Sequence, residues 1–451
     1  MSGTRAADSA GRLRADFVLR HAGQLVTGAP VAVAAAGAVV APHDDGLGVI
    51  FDGALAARGG RVVWVGPDAA LGGARVDLSG DALELDAAGA CVLPGFVDSH
   101  THTVFAGSRA DEYAARLGGV TYAEILASGG GINRTVMATR AASLDELAAS
   151  ATRRLDSFLS HGTTTLEMKS GYGLTLADEA RMLDAAAVAH PTRRRRTLLG
   201  AHLTPPEFAG RDDDYIDLVC DEMLPSLQGK AEFVDVFCDQ GAFTVEQSRR
   251  VLEAGLRLGY RGKIHADELA RSGGSLLAAE LGCVSADHLV HAGPDEIAAL
   301  RAAGVVAVVL PGTSFTLHQS YAPAREMLAA GLTVALATDF NPGTSYCENL
   351  QQMIALACQE MRLTPAQALR AATLGGAAAV GMAGEVGSLE AGKWCDLLVL
   401  DTDDRNELPY HFGVNLVATV VVGGAVVATK GGVCGDGRGA GEDDAEWGGD
   451  R

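Results

Sequence analysis

The chain has 451 residues, with 36 lysines and arginines against 56 aspartates and glutamates, for a formal net charge of −20. That balance leaves no broad positive field, so nucleic acid and membrane surfaces are not expected partners, and a small anionic ligand would need an arginine of its own. The eight cysteines form no CxxC pair and no stretch has the length or placement of a signal peptide or membrane span, so reduced thiols in a soluble cytoplasmic protein are expected.

Residues 16–92 read as short strands and turns: "VIFDGALAARGGRVVWVGP" sets apolar runs between Asp-Gly and Gly-Gly turn signals, as hairpins do. Residues 30–48 read as a variable loop. From residue 91 short β-branched runs alternate with alanine- and leucine-rich helical stretches, the pattern of βα units around a parallel sheet. Eight such runs occur: Val92–Val97, Thr163–Met168, Thr197–Gly200, Phe233–Cys238, Lys263–His265, Val284–Ala286, Val305–Leu310 and Val334–Ala337. This spacing predicts an α/β fold, a (β/α)8 TIM-like barrel over 93–383. Residues 384–431 return to glycine-punctuated strands and are expected to join 16–92 in one small composite β-sandwich. The last stretch, 432–451, is glycine- and charge-rich and is expected to be disordered.

Barrels carry their chemistry at the C-terminal ends of the strands. Following the eight runs in order come His100 and His102, Lys169 and Tyr172, His202, Asp239, His265, His288, Thr313 and Asp339. Strand side chains alternate with a period of two, so His100 and His102 point the same way and can reach one ion. With His265 and Asp339 they make three imidazoles and one carboxylate, a set suited to zinc or iron with a position left for water. Glu268, three residues beyond His265, is placed for proton transfer without being a ligand, and His288 is a second acid–base candidate.

Other features have plainer readings. Lys169 is a weak candidate for a carboxylated bridging lysine. "SGGGINRT" (128–135) lacks the Lys-Ser/Thr of a phosphate loop and is read as a mobile active-site loop. "RRRR" (193–196) is read as a solvated basic turn before strand three, and His291 as structural.

"PGFVDSHTH", "HADE", "ATDFNPGT" and "GSLEAGKWCDLLVLD" together resemble the amidohydrolase superfamily. The finer resemblance is to the imidazolonepropionase family, carried by "HTHTVFAGSRADEYAARLGGVTYAEI", "TTTLEMKSGYGL", "HLTPPEF" and "FNPGTSYCENL". It runs from about residue 16 to 430, and departs only in the 30–48 loop and the acidic tail. The resemblance implies one zinc or iron ion (Zn²⁺, or Fe²⁺/Fe³⁺) per subunit on His100, His102, His265 and Asp339. It implies hydrolysis of 4-imidazolone-5-propanoate to N-formimino-L-glutamate in histidine degradation, and a homodimer. Substrate contacts then fall on Arg109, Tyr122, Tyr172, His202, Glu268, Asn341, Gly343 and Thr344, with Glu268, His288 and Asp339 handling protons. Backbone groups of Gly343 and Thr344 are expected to grip the substrate's polar end. A guanine or cytosine aminohydrolase would share the ligand pattern but have little use for Arg109 or the "FNPGT" loop. A non-catalytic relative would be expected to have lost ligands that are all present here.

Overall fold

A computed structural model describes residues 13–29, 46–72, 76–121, 124–125 and 129–434. Tyr122, most of the 30–48 loop, Ser128 and the chain from 435 onward lie outside the described residues. The chain divides into two compact units. One takes the described residues within Met1–Gly95, Leu389–Asp404 and Leu416–Arg451, and the other takes Phe96–Ser388 and Arg405–Asn415.

In the first unit, β1 (Leu13–Val26), β2 (Val49–Arg58), β3 (Arg61–Pro67), β4 (Val76–Asp86) and β5 (Cys91–Pro94) precede the barrel. The strands β14 (Leu397–Leu400), β15 (Val417–Val422), β16 (Ala425–Thr429) and β17 (Gly432–Val433) follow it. Among the described residues they form one nine-stranded sheet in the order β17-β16-β15-β14-β5-β1-β2-β3, with β4 paired to β1. Phe17, Leu19, Leu25, Ile50, Leu55, Val92, Leu397 and Val421 share its core, so both chain ends bury against one another. The Gly-Gly signal is a true hairpin turn: Gly59 (φ 56°) and Gly60 (φ 76°) join β2 to β3 in the left-handed region that two-residue turns require. The Asp-Gly signal is not a turn. Asp52 and Gly53 lie inside β2, where Gly53 pairs with Ala22 at the edge of a bulge in β1 between Leu19 and Ala22.

The second unit is built on eight parallel strands in sequence order: β6 (Phe96–Asp98), β7 (Thr163–Lys169), β8 (Arg193–Ala201), β9 (Phe233–Cys238), β10 (Arg261–Ala266), β11 (Ser285–His288), β12 (Val306–Val309) and β13 (Val334–Leu336). Helices separate most of them. Leu144–Ser160, for example, starts at a capping box in which Ser143 and Glu146 bond each other's backbone, and buries Leu147, Leu155 and Phe158 on one face. The barrel closes beyond the last regular pairs: His102 N donates to Phe340 O at 2.8 Å and Asp339 N to His100 O at 3.1 Å. Thr338 reinforces the seam, donating its backbone N and its hydroxyl to the Asp98 carboxylate.

Two further expectations need correcting. The run Val92–Val97 is not one barrel strand, because it divides at Gly95: Cys91–Pro94 pairs with β1 and β14, whereas Phe96–Asp98 pairs with β7. The four arginines 193–196 are not a turn but the first half of β8, paired with residues 165–168 of β7. The division between units accordingly falls at 95/96 and 388/389, and 405–415 belongs with the barrel, where its short helix Glu407–Tyr410 packs on helix Leu350–Gln359.

Candidate active site

The seam that closes the barrel also carries the cluster. His100, His102, His265, His288 and Asp339 are each 4% exposed or less. Ring centroids lie 5.4 Å apart for His100 and His102, 4.5 Å for His100 and His265, and 5.3 Å for His265 and His288. Asp339 Oδ1 stands 3.5 Å from His100 Nε2 and 3.7 Å from His102 Nε2. Its other oxygen accepts from Thr313 Oγ1 at 2.5 Å. Among the described residues three sets have ligand atoms within 4.8 Å of one another, and all share His100: one adds His102 and Asp339, one His265 and His288, and one Glu167 and Asp287.

Whether these residues suit a metal is decided by their nitrogens. Buried polar atoms without a partner are costly and uncommon, yet His100 Nε2, His265 Nε2 and His102 Nδ1 are all buried without a hydrogen bond. The opposite nitrogens of two of these rings are engaged: His100 Nδ1 lies 2.6 Å from Asp287 Oδ2 and His265 Nδ1 3.1 Å from Asp235 Oδ1. A carboxylate on Nδ1–H leaves Nε2 with a lone pair directed into the cluster. Burial and neighbouring positive groups hold the pKa values of His100 and His102 well below the ordinary imidazole range, so both rings stay neutral. Neutral imidazoles with a carboxylate are the donor set of a transition-metal site, and the cluster can hold such an ion.

Behind the histidine–aspartate cluster lies a layer of charge that the motif reading missed. Lys169 Nζ lies 2.6 Å from Asp235 Oδ2 and 2.9 Å from Glu167 Oε2. Lys263 Nζ lies 3.2 Å from the same Glu167 oxygen and donates to Ser99 O at 2.9 Å. All four side chains, with Asp287, are fully buried. Burial pulls the Lys169 pKa down, but Asp235, Glu167 and Asp287 together outweigh it and raise it above the ordinary lysine value. The ammonium groups thus hold in place the carboxylates that orient His100 and His265. Lys169 is part of this ion-pair layer, and that is its place rather than a carboxylated metal bridge. The available sequence signal was a charge inside an apolar strand, as in "TTTLEMK" and "FVDVFC".

Glu268 stands beside the cluster, its Oε2 3.6 Å from His288 Nδ1. Asp239, the residue after β9, fixes this turn by accepting from Glu268 N at 2.6 Å and Leu269 N at 3.0 Å. Burial, then the charges of Asp339 and Asp239, push the Glu268 carboxyl up to about 8. Burial likewise raises Asp339 to about 6, against the hydrogen bond from Thr313.

The remaining predicted contacts gather at the same end of the barrel, save Tyr122, which is outside the described residues. Tyr172 and His202 have centroids 5.4 Å apart, and each approaches His102, at 5.7 and 5.3 Å. His202 Nδ1 donates to Gly171 O at 2.9 Å, and burial lowers its pKa to about 4. Asn341, Gly343 and Thr344 form a turn just after Asp339, but the two backbone amides expected to grip a substrate are already engaged. Gly343 N and Thr344 N each donate to Asn341 Oδ1 at 2.8 Å, which fixes the shape of the turn. That shape suits Arg109, whose guanidinium passes Gly343 where a Cβ would stand 2.5 Å from one terminal nitrogen. Arg109, Gly343 and Thr344, with Ser108, Tyr113 and Tyr346, line a cavity of about 410 Å³. Arg154 was not anticipated at all: it is buried, donates to Thr103 O at 2.7 Å and Phe105 O at 2.9 Å, and stacks on the Phe105 ring. It thereby fixes the coil between His102 and Arg109.

Residues 257–427 match the amidohydrolase family. The chain is 49% identical to the imidazolonepropionase of Symbiobacterium thermophilum over 424 residues, covering 92% of this chain and 98% of that one. It is 47% identical to that of Geobacillus kaustophilus, with the same coverage. A solved adenosine deaminase from Xanthomonas campestris with bound zinc shares the fold with a TM-score of 0.66 at 21% identity, covering 94% of this chain and 95% of that one. Identity of this order along nearly the whole of both relatives places the chain in the imidazolonepropionase family, whose members are hydrolases of C–N bonds.

Proposed function

We propose that the chain hydrolyses 4-imidazolone-5-propanoate to N-formimino-L-glutamate, as a step of histidine degradation in the cytoplasm. The reading assigns it one zinc or iron ion per subunit, held by His100, His102, His265 and Asp339. The observation that supports it, beside family membership, is Arg109 packed against Gly343, in the turn four residues beyond Asp339, where it lines a cavity. In a chain of net charge −20 a planar cation there suits a substrate's carboxylate.

The residues divide the work by position. Arg109 takes the propionate tail, and Tyr172 and His202 flank the ring. When bound, the ion lowers the pKa of a water and polarises the ring carbonyl. Glu268 accepts a proton as hydroxide adds to the carbonyl carbon and returns it to the ring nitrogen as the C–N bond breaks. One water is consumed and none is released. A carboxyl with a pKa near neutrality can do both halves of that transfer, and His288 lies beside it. Among the described residues no helix is long and apolar enough to cross a membrane. The reading includes a homodimer, which sedimentation of the holoprotein would test.

The test is hydrolysis of freshly generated imidazolonepropionate, followed by its ultraviolet absorbance, with guanine and cytosine assayed alongside and metal measured before and after chelation. Metal-dependent loss of absorbance with formiminoglutamate appearing is the expected result. A protein holding one metal per chain that deaminates guanine or cytosine and leaves imidazolonepropionate intact would overturn it.

A further inference from the structure

An arginine that reads a carboxylate must not wander among its rotamers, and Arg109 is held from two sides. Its Nε donates to Glu112 Oε2 at 2.7 Å, and its terminal nitrogen lies against Gly343. Glu112 is itself buried, at 8% exposed. Its second oxygen accepts from Gly131 N at 3.0 Å, and a Cβ on Gly130 would come within 2.8 Å of that oxygen. Arg134 stands 3.6 Å away and pairs with the neighbouring Asp111. Glu112 therefore lies between two donors from separate segments, a guanidinium and a backbone amide. Only a group that accepts at both ends satisfies them. A carboxylate does so, whereas a glutamine would turn its NH₂ towards one donor or the other.

We infer that Glu112 is the positioning residue of the anion site: it fixes Arg109 so that the two terminal nitrogens face the ligand end-on, and it ties that arginine to the Gly129–Gly131 turn. The inference rests on Arg109 being the partner of the substrate's carboxylate. It also sets geometry against charge. A carboxylate beside Arg109 weakens the attraction for an anion, so if charge governed the site, removing it would tighten binding. If orientation governs, removal loosens it.

Binding of imidazole-4-propionate, and of 4-propylimidazole, which lacks the carboxylate, would be titrated calorimetrically on the metal-loaded wild type, Glu112→Ala, Glu112→Gln and Arg109→Ala. Both Glu112 variants are expected to bind imidazole-4-propionate about tenfold more weakly and 4-propylimidazole as the wild type does. In turnover, KM should rise more than kcat falls. Unchanged or tighter binding of imidazole-4-propionate in Glu112→Gln would overturn the inference, as would equal weakening for both ligands. Glu112→Gln keeps the side-chain volume and carries the test if Glu112→Ala does not fold. Arg109→Ala separates the two claims. Preference for the carboxylate-bearing ligand surviving in that variant would sink the role of Arg109 itself. Preference lost there but intact in both Glu112 variants would sink only the role of Glu112.

Discussion

Glu268 is buried near two carboxylates, Asp339 across the cluster and Asp239 beneath its own turn, and both oppose its ionisation on top of burial. Its carboxyl is nonetheless free of a strong ion pair, the state a proton carrier needs. Glu268→Gln is expected to lower kcat by about 10²–10⁴-fold with metal content unchanged, measured by turnover and metal analysis on one preparation. Near-normal turnover would move the role to His288 or Asp339. His202 carries a pH prediction. Its folded pKa of about 4 lies below the ordinary 6.5. Between those values the unfolded chain holds a proton at this position that the folded protein refuses. Stability is therefore intact above pH 6.5 and declines as pH falls towards 4. Denaturant midpoints across that window should fall less steeply in His202→Gln than in the wild type, and parallel slopes would show that His202 is protonated in the fold.

At the scale of elements, the charged layer joins β7, β9, β10 and β11 beneath the histidine–aspartate cluster. Asp287 orients His100, and Asp235 both orients His265 and neutralises Lys169. Asp287→Ala is expected to lower metal affinity about 10–100-fold, read as faster release to a chelator, with Arg109 and the anion site untouched. Lys169→Met leaves Glu167 and Asp235 buried without their shared cation and should cost about 3–5 kcal/mol of stability, measured by denaturant unfolding of the holoprotein. A loss below about 1 kcal/mol, as for exposed pairs, would mean that Lys263 alone can neutralise the layer. The helix Leu144–Ser160 adds a second device, since Arg154 supplies hydrogen bonds that no strand offers to the carbonyls of Thr103 and Phe105.

Taken whole, the molecule keeps four of its eight cysteines out of reach and leaves Cys220, Cys347, Cys358 and Cys434 partly exposed. The four buried ones are Cys91, Cys238, Cys283 and Cys395. Burial raises the thiols of Cys238 to about 11 and Cys283 to about 12, so little thiolate forms there at neutral pH. Iodoacetamide should label Cys434 well ahead of those four in the native protein, and all eight once it is unfolded, as peptide masses would record. Early labelling of Cys283 in the native protein would show that the adjoining β10 opens.

Much of this was readable along the chain because barrel topology turns local pattern into shared location. A βα repeat ends every strand on one rim, so His100, His102, His265, His288 and Asp339 meet although residues far apart in sequence supply them. The pairing of buried charges was not readable. Lys169 and Asp235 are 66 residues apart, and nothing in either strand names the other. Nor was the use of the Gly343 and Thr344 amides, which a side chain two or three residues away takes up. The same holds for Gly95, where one apolar run supplies two sheets, and for Asp52-Gly53, whose turn signal was overridden by pairing with β1. Periodicity and strand-end position are properties of neighbouring residues. Hydrogen-bond and ion-pair partners are chosen among all groups brought within reach, and only the closed barrel determines which those are.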